Sequence, residues 1–383
     1  MNSIWSEQTQ RSHFDSLQES IQTDVLIVGG GLAGILCAYM LKNAGVDCIL
    51  VEAKELCSGV TENTTAKITL QHGLIYEKLI RRFGHNKAQL YLRAQRQAMQ
   101  EYARLCKAIP CDYETKDSYV YSVNDRRKIE QEIKALNALG CKAEFSDVST
   151  LPLKTVGAVR VPNQAQFHPL KFAFHIAKDL PIYENTKVLE LRPNGAVTQN
   201  GEITCKKMIV ATHFPILNKH GGYFLKLYQH RSYVLALAHA RDVDGMYVDA
   251  SSSGLSFRNY GGLLLLGGGG HRTGKKGGAW RELEDFARSN YPEAKVVKKW
   301  ATQDCMTLDG IPYIGPYGKH TPNLYVAGGF NKWGMTSSMV SAMVLCDLVQ
   351  GRHNDYASVF SPSRSILRPQ LALNPLESLL GLL

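Results

Sequence analysis

The stretch DVLIVGGGLAGILCAYMLKNAGVDCILVE at residues 24–52 decides the fold. Residues 25–28 form a short apolar and β-branched run, which is typical of a strand that is buried on both faces. Three glycines follow at GxGxxG spacing, and an apolar pattern of helical period then runs through Leu41. Residues 46–51 have the pattern of a second strand, which is closed by Glu52. The stretch therefore predicts a strand–turn–helix–strand unit.

Each part of this unit suits a dinucleotide. Gly29 permits a tight turn, Gly31 lets backbone approach a pyrophosphate, and Gly34 lets the helix pack close to the strand. The helix N-terminus offers free N–H groups and partial positive charge to phosphate. Glu52 lies where a carboxylate can bond ribose hydroxyls. The alternative interpretation is a glycine-rich turn that holds no ligand.

The composition favours a cytosolic globular protein of one large or two joined domains. The net charge of +10 comes from scattered basic residues without a basic stripe and interleaved aromatics, so we expect no nucleic-acid partner. The charge suits a solvated surface or attraction of an anionic cofactor. Nine dispersed cysteines, several of them in apolar runs, indicate reduced and buried thiols. Neither zinc nor Rieske spacing occurs, so we expect no metal.

The N-terminal region shows no targeting signal. Residues 1–20 are polar, so we expect no signal peptide, and we predict that residues 1–23 extend over the surface. Residues 25–41 are apolar, but their glycine turn predicts a buried strand and helix rather than a membrane span. We therefore expect a cytoplasmic protein without a membrane span.

A long polar segment, AKELCSGVTENTTAKITLQHG, occupies residues 53–73. A segment of this length inside a compact domain is usually functional. Its hydroxyl groups and Lys67 are predicted to line a polar edge of a cofactor, and the alternative is a mobile loop. The hydroxyl-bearing candidates are Thr61, Thr64 and Thr65.

A second glycine turn follows a predicted strand near the C-terminus, in NLYVAGGFNKWGMTSSMVSAMVLCDLVQG at residues 323–351. Residues 324–327 have the pattern of a strand and residues 336–349 that of a helix. The helix again begins at a glycine turn, where its N-terminus suits a partial negative charge. Upstream, TQDCMTLDGIPYIG at residues 302–315 predicts a polar turn between apolar residues.

Three distant segments together resemble the D-amino-acid-oxidase-type (DAO) family of FAD-dependent oxidoreductases, which includes glycine, sarcosine and γ-glutamylputrescine oxidases. The segments are DVLIVGGGLAG with VE, FHPLKF with KMIVATH, and MTLDGIPYIG with NLYVAGGFNKWGMTSS, and they bracket nearly the whole chain. The loop SGVTENTTAKITLQHGLIY resembles most closely a branch in which a C-terminal Rieske domain follows the flavin domain. This sequence departs from that branch because it carries no cluster motif.

The resemblance implies an α/β plus α+β fold, in which a glutathione-reductase-like FAD-binding domain carries a mixed-sheet substrate domain. Both domains are expected to be built from separate segments of the chain. The implied ranges are 20–110, 156–215 and 301–355 for the FAD-binding domain, 111–155 and 216–300 for the substrate domain, and 356–383 for a C-terminal tail.

The resemblance also implies which residues hold FAD. It assigns Gly29, Gly31 and Gly34 to the pyrophosphate, whereas Glu52 serves the adenosine ribose and Val188 the adenine. The remaining implied contacts are Thr61, Thr64, Thr65, Ala211, Thr212, Gly329, Phe330, Gly334, Met335 and Thr336. In sarcosine oxidases a cysteine just upstream holds FAD covalently. Thr302 takes that position here and Cys305 is shifted by three, so we expect non-covalent FAD.

Four residues are candidates for the chemistry. Arg231 would grip a substrate carboxylate, and the alternative is an ordinary charge at a strand edge. His271 follows a buried strand and would reach the flavin face, where a cation promotes oxygen reduction in related oxidases; the alternative is a solvated loop residue. Lys67 is a candidate for a similar role. Trp333 takes the position of a histidine in several relatives and would wall the pocket.

The activity implied is FAD-dependent oxidation of an amine or amino acid to an imine, with electrons passing to oxygen or to a separate acceptor. One alternative is a dehydrogenase that passes electrons to an iron–sulfur partner protein. Another is a flavin-binding protein without turnover. The sequence leaves the substrate and the oligomeric state open.

Overall fold

The computed structural model describes residues 3–216, 221–251 and 254–364 of the protein. Its strands form two sheets, and its helices pack around both. The strands are β1 (Ile21–Val28), β2 (Cys48–Val51), β3 (Lys67–Ile68), β4 (Glu114–Ser122), β5 (Glu144–Ser146), β6 (Gly157–Gln166), β7 (Ile182–Tyr183), β8 (Val188–Arg192), β9 (Gly195–Thr198), β10 (Glu202–Val210), β11 (Leu227–Ala238), β12 (Met246–Asp249), β13 (Ser256–Tyr260), β14 (Leu263–Arg272), β15 (Lys295–Thr307), β16 (Tyr313–Pro316) and β17 (Leu324–Gly328). The helices are α1 (Ile4–Glu7), α2 (Leu32–Asn43), α3 (Tyr76–Phe83), α4 (His85–Cys106), α5 (Arg126–Ala138), α6 (Pro169–Ala177), α7 (Tyr223–Lys226), α8 (Ala279–Asn290), α9 (Gly334–Val349) and α10 (Ala357–Phe360).

The first sheet has eight strands, in the order β16-β17-β10-β1-β2-β7, and the β8–β9 hairpin pairs with one end of β10. β1 runs parallel to β2 and β10, and β10 runs parallel to β17. Val25 and Ile27 face the core that holds the helices, whereas Leu26 and Val28 face a second core. This strand is buried on both faces, which confirms the predicted strand–turn–helix–strand unit.

Helices α2 and α9 pack against each other beside this sheet. Helix α2 follows β1, and helix α9 follows β17. Because the carboxyl ends of parallel strands meet at one edge, both helix N-termini lie at that edge of the sheet. The fold therefore brings the two glycine turns together from opposite ends of the chain.

The second sheet has nine strands, in the order β15-β11-β14-β13-β12-β4-β6-β3, with β5 beside β6. It is mixed, because β12 runs parallel to β4 while the other pairs are antiparallel. One hydrophobic core includes Ile209 from the first sheet and Val234 and Leu265 from the second. The two sheets therefore share a core, and the α/β plus α+β class is confirmed.

Sheet membership differs in places from the domain ranges that the resemblance implies. β3 and β6 belong to the second sheet, because both pair there and β6 also pairs with β4. β15 belongs to the second sheet and extends past residue 300, into the range that was implied for the FAD-binding domain. Val359 and Phe360 of α10 are buried, so the first part of the implied tail packs with the core. Residues 365–383 lie outside the described residues.

The N-terminal segment differs from its prediction. Residues 1–23 were expected to lie on the surface, but α1 buries Ile4 and Trp5, and β1 already begins at Ile21. The polar composition of the segment conceals this apolar pair. All nine cysteines are free thiols, and all except Cys106 are buried, which confirms the interpretation of the cysteines. Within the described residues, every helix is too short or too polar to cross a bilayer.

Candidate functional site

A cavity of about 760 Å³ opens at the carboxyl edge of the first sheet and reaches the second sheet. Ligand pockets typically enclose roughly 300–1,000 Å³. The residues that directly follow four parallel strands line it, namely Gly29, Glu52, Ala211 and Gly329. The cavity therefore joins turns that are far apart in the sequence.

The first glycine turn is tightly packed everywhere except at Gly31. Gly29 has φ +112°, and a Cβ there would lie 2.6 Å from the carbonyl oxygen of Ala211. A Cβ at Gly34 would lie 2.0 Å from the carbonyl oxygen of Gly29. At Gly31 the nearest atom to such a Cβ is Thr61 Oγ1, at 3.4 Å. Gly31 thus leaves room for a ligand to approach the start of α2, as a pyrophosphate requires.

Glu52 is fixed at the edge of this turn. Its Oε2 accepts a hydrogen bond from the backbone N–H of Gly30 at 2.7 Å, and its Oε1 accepts one from Lys54 N–H at 2.9 Å. Carboxylate oxygens can accept further hydrogen bonds, so Glu52 remains able to hold hydroxyl groups of a ribose. This end of the cavity therefore fits the dinucleotide part of FAD.

Three buried polar atoms beside the cavity have no hydrogen-bond partner in the described part of the chain. They are His213 Nε2, Ser232 Oγ and Thr302 Oγ1, and all three residues line the cavity. A buried polar group without a partner costs about 1–3 kcal/mol. These atoms therefore indicate a polar ligand that extends beyond the glycine turn.

The second glycine turn supplies a helix N-terminus. Gly329 has φ +68°, and a Cβ there would lie 2.5 Å from Thr307 Cγ2, so this position requires glycine. Helix α9 begins at Gly334 without a side-chain cap, and Gly334 and Met335 line the cavity. The uncapped N–H groups and the helix dipole favour negative charge at this wall.

His72 supports this wall through its contacts on both ring nitrogens. Its Nδ1 lies 2.6 Å from Tyr91 Oη, and its Nε2 lies 2.9 Å from Thr336 Oγ1. The imidazole stacks on Trp333 with 5.1 Å between ring centroids. Burial lowers the pKa of His72 to about 3, so the ring is neutral. Thr336 itself lies behind the cavity wall and positions His72.

His72→Gln is expected to reduce the acid sensitivity of folding. The folded protein keeps His72 neutral, whereas the unfolded chain takes up a proton below a pH of about 6.5. The stability that the neutral ring contributes is therefore complete above that pH and is lost as the pH falls towards 3. At about pH 5 the loss amounts to roughly 2 kcal/mol.

Urea denaturation with excess FAD gives the free energy of unfolding at about pH 7.5 and about pH 5. The decrease in this free energy between the two pH values should be larger for wild type than for His72→Gln. The exposed His353, beside Asp355, provides a control as His353→Gln. Equal pH dependence in wild type and His72→Gln would contradict a neutral buried ring.

Charged groups line the part of the cavity that lies against the second sheet. Burial and the nearby charge of Arg258 lower the pKa of Lys67 to about 7. Burial raises the pKa of Asp304 to about 6, and burial also lowers the pKa of Lys332. The sequence analysis did not single out Asp304 or Lys332. Two features of the sequence could have indicated them. Thr302 and Asp304 alternate along one strand and so share a face, and Lys332 lies within the second glycine turn.

Two of the four chemical candidates lie outside the cavity lining. Arg231 is exposed and outside the cavity lining, because the next residue of β11, Ser232, lines the cavity instead. His271 also lies outside the lining, and its Nε2 is 3.1 Å from the hydroxyl of Tyr233, which does line the cavity. Lys67 and Trp333 do line it.

Most of the residues that the resemblance assigned to FAD lie together in the cavity wall. Gly34 and Thr336 are the two that pack behind it. The assigned residues that line the cavity are Gly29, Gly31, Glu52, Thr61, Thr64, Thr65, Val188, Ala211, Thr212, Gly329, Phe330, Gly334 and Met335.

The cysteine nearest to Thr302 in the sequence is also in the wall. Thr302 and Cys305 both line the cavity. Burial raises the pKa of the Cys305 thiol to about 12, so the thiol stays protonated at neutral pH. Because the thiolate is the reactive form, Cys305 is a poor nucleophile.

Comparison with known proteins gives consistent matches. A family profile described as "FAD dependent oxidoreductase" (DAO) matches residues 24–348. Over 388 residues the chain is 36% identical to "Putative Rieske 2Fe-2S iron-sulfur protein YhfW" of Bacillus subtilis (strain 168), which covers 96% of this chain and 76% of that protein. It is 23% identical over 379 residues to gamma-glutamylputrescine oxidoreductase of Escherichia coli (strain K12), covering 88% of this chain and 86% of that protein.

Solved structures share the fold. Glycine oxidase from Geobacillus kaustophilus is similar with a TM-score of 0.75 and 18% identity, covering 90% of this chain and 99% of that chain. L-proline dehydrogenase from P.horikoshii is similar with a TM-score of 0.76 and 16% identity, covering 91% of this chain and 98% of that chain.

Proposed function

Because the chain belongs to the DAO family of FAD-dependent oxidoreductases, we propose that it oxidises the C–N bond of an amine or amino acid to an imine. FAD is the cofactor of this enzyme, and when bound it accepts a hydride from a carbon next to nitrogen. One observation carries the proposal: the cavity continues from the glycine turns to a wall that bears both Asp304 and Lys332.

This wall suits an amino acid better than a simple amine. Lys332 lines the cavity and offers its ammonium group to a substrate carboxylate. Asp304 attracts Lys332 electrostatically and offers an acceptor to a substrate ammonium group. An amine must lose its proton before hydride can leave the neighbouring carbon. The Asp304 carboxylate, whose pKa is raised to about 6, is suited to take that proton near neutral pH.

The names of the relatives support chemistry at a C–N bond. The E. coli relative is named a gamma-glutamylputrescine oxidoreductase, and proteins of the same fold are named glycine oxidase and L-proline dehydrogenase. We further propose that FAD is held without a covalent bond, because Thr302 bears no thiol and Cys305 is protonated.

Anaerobic mixing of the FAD-bound protein with a panel of amino acids and amines tests the activity. We expect an amino acid to bleach the flavin absorbance. Lys332→Met should raise KM for that amino acid by about 10- to 100-fold with little change in kcat, because a hydrogen bond to a charged group contributes about 1.5–3 kcal/mol. Lys319→Met, at an exposed lysine outside the cavity lining, is the matched control.

The outcomes separate two claims. Wild-type protein that is fully loaded with FAD and is bleached by no member of the panel would contradict the proposed oxidation and favour a flavin protein without turnover. If an amino acid bleaches the flavin but Lys332→Met leaves KM unchanged, the proposed oxidation stands and Lys332 does not bind the substrate.

A second candidate function is a dehydrogenase that passes electrons to an iron–sulfur protein. The 36% identity to a protein named for a Rieske 2Fe-2S centre favours it. Admitting oxygen after anaerobic bleaching distinguishes the two. Rapid recovery of the flavin absorbance supports an oxidase. Slow recovery in oxygen and rapid recovery with an oxidised 2Fe-2S protein supports the dehydrogenase.

A further inference from the structure

Four consecutive backbone carbonyls of the loop after Glu52 are held by three side chains from distant parts of the chain. Trp300 Nε1 donates to the carbonyl oxygen of Asn63 at 3.1 Å, and Trp5 Nε1 donates to that of Thr64 at 2.8 Å. Arg258 Nη1 donates to the carbonyl oxygens of the next two residues, 65 and 66, at 2.6 and 2.9 Å. We call Trp5, Arg258 and Trp300 the carbonyl clamp.

The carbonyl clamp is completely buried and lies outside the cavity lining. Its three side chains each have 0% exposure. They come from α1, β13 and β15, and the guanidinium of Arg258 lies 5.5 Å from the Trp5 ring. One side of the loop therefore packs on an indole and guanidinium layer that belongs to other elements of the fold.

Arg258 is a charged side chain in a completely buried position. Its Nε and Nη2 have no hydrogen-bond partner within residues 3–216, 221–251 and 254–364. Burial lowers its pKa to about 9, so it remains a cation at neutral pH. A buried charge is costly, and here the two carbonyl oxygens and the rings of Trp5 and Tyr260, 5.5 and 5.7 Å from the guanidinium, offset part of that cost.

The other side of the loop faces the cavity. Asn63, Thr64, Thr65 and Lys67 line it, and the Lys67 ammonium donates to Thr65 Oγ1 at 3.0 Å. Because the clamp takes up the carbonyls, the loop presents hydroxyl groups and an ammonium group to the cavity. Arg258 stays charged at neutral pH and lowers the pKa of Lys67 to about 7, so Arg258 supplies the lasting positive charge behind this wall while Lys67 is only partly protonated.

We propose that the carbonyl clamp positions the FAD-contacting loop and that Arg258 is its principal positioning residue, raising both the affinity for FAD and the midpoint potential of the bound flavin. A loop already fixed in one geometry loses less conformational freedom when the cofactor binds. Preorganised positive charge in a buried site favours the addition of electrons to a neighbouring group. The inference depends on FAD as cofactor and is independent of the substrate.

Three variants separate these effects. Arg258→Met keeps the volume but removes donors and charge, and we expect FAD to bind at least about tenfold more weakly. We also expect a midpoint potential lower by about 30 mV, which corresponds to a tenfold change for two electrons. Arg258→Lys keeps the charge and should restore the potential more than the affinity. Trp300→Phe keeps an aromatic side chain, smaller and without the N–H donor, and should weaken FAD binding while leaving the potential near that of wild type.

The measurements are fluorescence titration of apoprotein with FAD, potentiometry of the bound flavin, and thermal unfolding. Arg160→Met, at a partly exposed arginine paired with Asp117 and Glu144, is the control and should behave as wild type with respect to FAD. An Arg258→Met protein that melts earlier but binds FAD with unchanged affinity and potential would show a packing role and overturn the proposal. If Arg258→Met does not fold, Trp300→Phe and Arg258→Lys decide: wild-type affinity and potential in both would overturn it.

Discussion

Gly31→Ala is expected to leave the protein folded but to weaken FAD binding by about 10- to 100-fold. An alanine Cβ at this position meets only Thr61 Oγ1, at 3.4 Å, so the apoprotein accommodates it. The same methyl group occupies the space through which a pyrophosphate approaches the start of α2. Overpacking of this kind costs about 1–3 kcal/mol, and each 1.4 kcal/mol changes an equilibrium constant tenfold. The measurement is flavin retained per protein after gel filtration, followed by titration with FAD.

Two other glycines make the result specific. A Cβ at Gly318 also meets its nearest atom at 3.4 Å, but this residue lies outside the cavity lining, so Gly318→Ala should bind FAD as wild type does. A Cβ at Gly34 would lie 2.0 Å from the Gly29 carbonyl oxygen, so Gly34→Ala should fail to fold stably. Normal FAD binding by Gly31→Ala would show that the phosphates do not lie at this turn.

Arg364→Met is expected to destabilise the protein by about 3–5 kcal/mol. Arg364 Nε and Nη2 donate to the two carboxylate oxygens of Asp309 at 2.8 and 3.0 Å, and both side chains are buried. The guanidinium also lies 3.9 Å from the centroid of the Tyr313 ring. Removing the cation takes away the two charge-assisted hydrogen bonds that Arg364 donates to the buried Asp309 carboxylate, and that loss accounts for the size of the effect.

The free energy of unfolding in urea, measured at saturating FAD, checks this value. The double variant Asp309→Asn with Arg364→Met should be more stable than Arg364→Met alone, because a neutral amide is less costly to bury there than a carboxylate that has lost the Arg364 guanidinium. Arg352→Met is the matched control, because Arg352 pairs with Asp347 at the surface and such pairs contribute about 0–1 kcal/mol. Equal losses in Arg364→Met and Arg352→Met would contradict a buried, coupled ion pair.

The cofactor end of the site was predictable because its signals are local. The turn after β1 needs glycine at fixed spacings, and the strand and helix on either side have clear periods. Glu52 follows at a set distance because strand, turn and helix lengths fix where β2 ends. The same reasoning located the second glycine turn and the start of α9 near Gly334.

The substrate end was not predictable in this way, because strand register and side-chain direction depend on pairing between distant strands. β11 has an irregularity between Arg231 and Tyr233, and such a shift decides which side chain turns towards the cavity. The sequence analysis therefore named Arg231 and His271, which lie outside the cavity lining, and did not name Asp304 and Lys332, which line it. Trp5 and Arg258 were not singled out for a related reason. Their hydrogen bonds to the loop after Glu52 depend on α1, β13 and β15 packing together around that loop.

The order of strands in the first sheet has a consequence for biosynthesis. β10 lies between β1 and β17, so the centre of this sheet is complete only when almost the whole chain has left the ribosome. A nascent chain that ends before residue 324 keeps one edge of β10 unpaired and lacks the second glycine turn. Unpaired, apolar strand edges are prone to aggregation during folding. We therefore expect the protein to bind flavin only late in its synthesis, once β17 and the second glycine turn have emerged.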